Sequence, residues 1–162
     1  MRLIITDANI LIDMHVGRLI EDMFRLTSLE FAVPDVLYLS ELAEQHARLP
    51  GLGLKILSLQ PDAIADAEVL RAKYRRPSMN DLFALALARA EACPLLSGDG
   101  SLRSAAEAEN VEVHGTLWLV EQMRKELKLE VSRARHSYEL MRLDGSRLPW
   151  DEVEIQLRHW RR

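Results

Sequence analysis

The stretch Arg2–Asp13, RLIITDANILID, decides how this chain begins to fold. Its first five residues form an apolar run with β-branched Ile4, Ile5 and Thr6, which reads as a buried strand. Asp7 follows at once, and the apolar residues then change to helical spacing, with Ile10, Leu11, Met14, Leu19, Ile20 and Phe24 turned inward over one or two helices to about Leu26. A strand that runs through an aspartate into a helix is the opening of a βα unit, and the rest of the chain repeats it.

Working outward, Phe31–Val33 is a second short strand closed by Pro34, and Asp35 is placed to cap a helix from Val36 to about Ala47 with Val36, Leu39 and Ala43 on its inner face. A turn at Pro50, Gly51 and Gly53 leads to the strand LKILSL, and Pro61 opens a helix to about Tyr74. Ser78 caps a helix over Asn80–Ala92, Leu95–Ser97 is a fourth strand, and a helix over Ser101–Glu109, a strand at Val111–Val113 and a helix from Thr116 complete the alternation. The expected fold is α/β, a three-layer α/β/α sandwich around a parallel sheet, because parallel strands need covered faces. Beyond Leu127 two amphipathic stripes, one through Val131, Ala134, Tyr138 and Met141 and one through Trp150, Val153, Leu157 and Trp160, flank the turn Asp144–Gly145. The chain thus divides into residues 1–126, the α/β domain, and 127–162, a C-terminal helical hairpin packed on the core or on a partner.

Composition bounds the function. A chain of 162 residues, 48% hydrophobic and 28% charged, is an ordinary globular domain with a full core. The net charge of −4 argues against coating nucleic acid by bulk attraction. No apolar run spans a membrane, and MRLIIT meets Asp7 too early for a signal peptide. One cysteine, Cys93, excludes an internal disulfide; it reads as a buried small hydrophobe in a cytoplasmic protein.

Four acids then stand out: Asp7 and Asp99 after strands, Glu41 and Asp81 near helix starts. Each has a structural reading, as an N-cap for Asp7, a capping box with Ser78 for Asp81, a turn for Asp99 in SGDGS and a solvated helix position for Glu41. Together they have another, because ligands of open parallel sheets bind beyond the carboxyl ends of the strands. Carboxylates gathered there repel one another unless a cation neutralises them, and an oxygen-only set favours Mg²⁺ or Mn²⁺ completed by a phosphate oxygen. Asp13 is a weaker candidate by its nearness to Asp7.

LIITDANILID, SELAEQ, MNDLFALALARA and PLLSGDGSLRSAAE, in this order and spacing, resemble the PIN-domain nucleases from the N-terminus to about Lys125. The resemblance implies a metal-dependent endoribonuclease in which Asp7, Glu41, Asp81 and Asp99 form the acidic cluster, with Asn9 and Ser97 as small polar neighbours. Many members carry a further Asp or Asn where this chain has Ser101 and then Arg103. The VapC-toxin-like branch of the family adds a small antitoxin as partner and a homodimer; the helical tail corresponds to its longer forms.

Other features are weighed beside this. The run Arg71, Lys73, Arg75, Arg76 suits either a helix C-terminus or an RNA backbone, Arg103 is the better single residue for a substrate phosphate, and the histidines lack metal-ligand spacing. Trp150 and Trp160 suit packing more than base stacking. Two other functions stay open: a PIN-like module that binds RNA or a partner without cleaving, and a haloacid-dehalogenase-like phosphatase. The phosphatase wants an acid two residues after Asp7, where Asn9 stands.

Overall fold

The structure, a computed structural model, describes residues 1–161. Its centre is a parallel sheet of β1 (Arg2–Thr6), β2 (Leu29–Pro34), β3 (Lys55–Leu57), β4 (Leu95–Leu96) and β5 (Val113–His114) in the order β3-β2-β1-β4-β5. From β1 the chain steps to one side through β2 and β3, then crosses back to β4 and steps to the other through β5. The direction reverses between β1 and β4, and such a reversal opens a crevice at the carboxyl ends of the two strands. Ile4, Ile5, Phe31, Ala32 and Val33 are all within 1% of full burial, as expected for strands covered on both faces.

Right-handed crossovers assign the helices to their layers. The leftward connections carry α1 (Ala8–Val16) and α2 (Ile20–Arg25); the return carries α5 (Pro61–Lys73) and α6 (Met79–Ala90), and β4 is followed by α7 (Gly100–Ala108). Ala84, Leu85, Ala86, Leu87 and Ala88 of α6 are all buried, an unbroken run that seats this helix on β1 and β2 with α5 and α7 beside it. The result is the three-layer α/β/α architecture.

Three expectations need correction. Val36–Ala47 is not one α-helix: α3 (Asp35–Leu37) passes into a π-helical turn, Tyr38–Leu42, in which the Ala43 N–H reaches the Tyr38 carbonyl at 2.8 Å. The wider turn brings Leu37 and Leu42, five residues apart, inward, and it turns Val36 and Leu39 outward, Leu39 to 71% exposure. Asp35 is the first residue of α3, not its cap, with Oδ1 accepting the Val36 N–H at 2.8 Å. The fifth strand also begins later than expected, because the Val111 N–H goes to the Ala106 carbonyl at 2.8 Å and finishes α7.

After a short α4 (Leu49–Leu52) and the later α8 (Thr116–Leu127), the chain ends in α9 (Val131–Leu143) and α10 (Trp150–Trp160). Ala134, Tyr138, Met141, Val153, Leu157 and Trp160 join the same core as the sheet residues. Alpha9 meets α1 closely at Gly17, where a Cβ would stand 2.5 Å from the Met141 methyl and 3.3 Å from the Ser137 carbonyl. It is also pinned by Arg133, which binds both carboxylate oxygens of Asp22, a nearly buried acid on α2. Arg162, the last residue of the hairpin segment, lies outside the described residues. Cys93 is half-buried, and burial pushes its thiol up to about 11. Among the described residues no helix is long and apolar enough to cross a membrane.

Candidate metal centre

Beta1 and β4 are in register at Ile5–Leu95 and Thr6–Leu96, so the next residues of the two strands, Asp7 and Ser97, lie side by side at the chain reversal. The Ser97 hydroxyl, fully buried, donates to Asp7 Oδ2 at 2.6 Å, while Asp7 Oδ1 accepts the Ile10 N–H at 3.0 Å and caps α1. Asp7 is 1% exposed. Burial outweighs these two hydrogen bonds and, helped by repulsion from Asp81 and Asp99, pushes its carboxyl up to about 7.

Asp81 and Asp99 reach the same place from α6 and α7. Asp81 completes a capping box, accepting the Ser78 N–H at 3.0 Å while its own N–H bonds the Ser78 hydroxyl at 3.1 Å. Its carboxyl is held above the usual range by burial, with Asp99 adding repulsion. Asp99 caps α7 through the Leu102 N–H at 3.0 Å, and the Ser101 hydroxyl donates to the same oxygen at 2.6 Å, which holds its carboxyl below the usual range. Each aspartate thus closes the start of its own helix, and the three lie near enough to repel one another.

Glu41 sits in the π-helical turn, exposed, with Oε2 accepting from Asn80 Nδ2 at 2.9 Å; Asn80 also donates to the Ser40 hydroxyl at 2.8 Å. It is thereby tied to the residue before Asp81 and not bonded to the three aspartates. Asn9 is exposed and shares with Asp13 and Asp99 a cleft of about 530 Å³ beside the crevice. Ser101 holds Asp99 from the position of the expected further ligand. Arg103 does not project into the acids: its guanidinium lies across Gly115, where a Cβ would clash with it, and donates to the Ser97 carbonyl at 3.4 Å.

A family model described as a PIN domain matches residues 3–162. The chain belongs to the PIN-domain family. No curated protein matches it. PIN domains are generally nucleases that use divalent metal ions, and the match leaves the phosphatase alternative without support. It runs through the hairpin, so α9 and α10 lie within the matched region of this PIN domain.

Among the described residues no three Asp, Glu, His or Cys side chains stand close enough to cage an ion. The donor chemistry nonetheless fits one: the set is all oxygen, its members repel one another, and Mg²⁺ is commonly held by one or two carboxylates while it keeps its waters. The residues that sequence alone left out are on the opposite wall. Ser146 Oγ, in the α9–α10 loop, donates to Asp13 Oδ1 at 2.7 Å, and Arg147 beside it lines the cleft with Asp99. No local pattern signals a contact between residues 133 apart in the chain.

Ser97→Ala leaves Asp7 with only its backbone bond. Its carboxyl should then rise further, and, if the chain cleaves RNA as PIN nucleases do, the acid limb of its rate profile should move to higher pH, with activity near neutrality down roughly 10- to 100-fold. A pH–rate profile that does not move while the rate falls would assign Ser97 to the fold alone.

Proposed function

We propose that this PIN domain is a divalent-metal-dependent endoribonuclease, with Asp7, Asp81 and Asp99 as its acidic centre. The observation that carries the reading is the meeting of three helix-capping aspartates at the reversal between β1 and β4, one of them buried and pushed up to about 7. One or two of these carboxylates would hold a Mg²⁺ or Mn²⁺ ion that keeps its waters, and the ion would supply Lewis-acid activation of water and charge neutralisation at phosphorus. Ser97 and Ser101 orient Asp7 and Asp99, and Asn80 holds Glu41 at the rim, where it can steady a water for in-line attack.

An acidic centre on a chain of net charge −4 needs local cations to receive RNA. They lie beside it: the Arg71 guanidinium donates to the carbonyls of Tyr74, Arg75 and Pro77 at 3.3, 3.0 and 2.6 Å and shapes a loop that carries Arg75 and Arg76. Those two line a cleft with Gly100 and Ser101, at the start of α7 next to Asp99. The VapC-like toxin role, the small antitoxin, the homodimer and a cytoplasmic location go with this reading as proposals, tested by co-purification with the product of an adjoining reading frame.

The deciding experiment is hydrolysis of labelled single-stranded RNA with Mn²⁺, with Mg²⁺ and with EDTA, beside a thermal-melting titration. Cleavage confined to the metal-containing samples, together with a rise in the melting temperature on Mn²⁺ addition, is the expected result. The rival reading, a binding module, predicts RNA binding with no cleavage under any divalent ion; that outcome would replace the proposal.

A further inference from the structure

The nuclease reading leaves the C-terminal hairpin without a task, yet its α9–α10 loop is fixed over the site. Ser146 holds the loop to Asp13 of α1, and Arg133 and Gly17 fix α9 behind it. The loop's next residue, Arg147, borders two cavities at once. One is the cleft it shares with Asn9 and Asp99, and the other is a groove of about 200 Å³ on the far side of Gly98, walled by Arg103, His114 and Trp118. Arg147 is exposed and makes no hydrogen bond or ion pair with the described residues.

Three further features make this groove more than a surface dent. His114 and Trp118 are stacked, with ring centroids 4.1 Å apart and planes 13° from parallel, and His114 is held by Glu112 Oε2 at 2.6 Å, so a fixed aromatic pair with an outer face for a base is already assembled. Arg103 is drawn down over Gly115 and adds positive charge to the wall. Thr116, 3% exposed and on the same wall, has a buried hydroxyl with no hydrogen-bond partner among the described residues. An unpaired buried hydroxyl is destabilising, and this one stands next to Gly98, which lines the same groove. Glu152 also lines the groove and opposes a hold by charge alone, which gives stacking the larger share.

We infer that this groove is a nucleotide subsite for single-stranded RNA. One base stacks on the outer face of the Trp118–His114 pair, and Arg147 holds the phosphate that joins this nucleotide to the one at the acidic centre. The inference rests on the nuclease reading for the identity of the strand. It makes the hairpin a part of the substrate site, since it supplies Arg147.

The test is fluorescence anisotropy with a labelled single-stranded RNA, using the full chain carrying Asp7→Asn to prevent cleavage, in Mg²⁺ buffer over a range of salt. Adding Arg147→Glu weakens binding about tenfold or more and lowers the slope of log affinity against log salt by about one phosphate contact. Adding Trp118→Leu weakens binding roughly 5- to 100-fold with the slope unchanged, and an RNA abasic at the stacked position loses this sensitivity. Arg147 is on an exposed loop, so its variant reports even where Trp118→Leu melts early. RNA affinity and salt slope unchanged in both variants would overturn the subsite and leave the nuclease reading standing. A chain that neither binds nor cleaves RNA would remove both.

Discussion

Asp7→Asn is expected to abolish metal-dependent RNA cleavage, by on the order of a thousandfold or more, while making the metal-free protein harder to melt at pH 8. The two effects share one cause. The Asp7 carboxyl is pushed up from 3.8 to about 7 by burial, so the folded state resists its ionisation. A carboxyl with a raised folded-state pKa contributes stability that is fully present below the unfolded value and lost as pH climbs through the folded one. Between about pH 4 and pH 7 the metal-free chain therefore loses about 4 kcal/mol from this group. Asparagine carries no charge, still caps α1 through its carbonyl and can donate to Ser97. The melting temperature of Asp7→Asn should exceed that of the unsubstituted chain at pH 8 without metal, and the gap should narrow toward pH 4. Added Mn²⁺ should reverse the order by stabilising only the unsubstituted chain. Undiminished cleavage by Asp7→Asn would end the assignment of Asp7.

The second large effect is on stability. Arg133→Ala should lower the unfolding free energy by about 3 kcal/mol, a fall of roughly 10 °C in melting temperature for a chain of this length. Asp22 is 4% exposed, and without the paired guanidinium it is left as a buried charge with only Arg25, at 3.5 Å, nearby. Arg133 is itself half exposed, and solvent screening keeps the loss at the low end of the range for buried pairs. Replacing both residues, with Asp22→Asn beside Arg133→Ala, should recover a large part of the loss, since no charge then stays buried. A loss below about 1 kcal/mol in Arg133→Ala alone would show that the pair is screened as surface pairs are. Because Arg133 positions α9, the same variant should also loosen Arg147 and weaken RNA binding.

Much of this was legible in the residues. Short apolar runs ending in Asp7 and Ser97, each followed by a helical pattern, imply a parallel sheet with acids at its carboxyl edge, and Ser78 with Asp81 announces its capping box. What stayed hidden depends on departures from regular spacing or on distance along the chain. Reading Val36–Ala47 with a period of 3.6 residues puts Leu39 inside; one π-helical turn puts it outside and leaves Glu41 with Asn80. Arg103 has the chemistry of a phosphate ligand, but the missing Cβ of Gly115 leaves room for its guanidinium to donate to the Ser97 carbonyl. The place of Ser146 and Arg147 over α1 is set by how α9 packs, which no window of local sequence contains.

That three aspartates cap the helices they begin also limits how this protein could decay. A lineage that lost its need for cleavage would not be free to replace them at random, because alanine at Asp7 or Asp99 uncaps a helix at about 1 kcal/mol each. Asparagine or serine caps nearly as well without the charge, and at Asp7 it also removes the strain of burying one. Silent descendants of this fold should therefore carry Asn or Ser at these positions. A related chain bearing them would keep the outline of the crevice, melt at a higher temperature in the absence of metal, and have nothing left with which to cut.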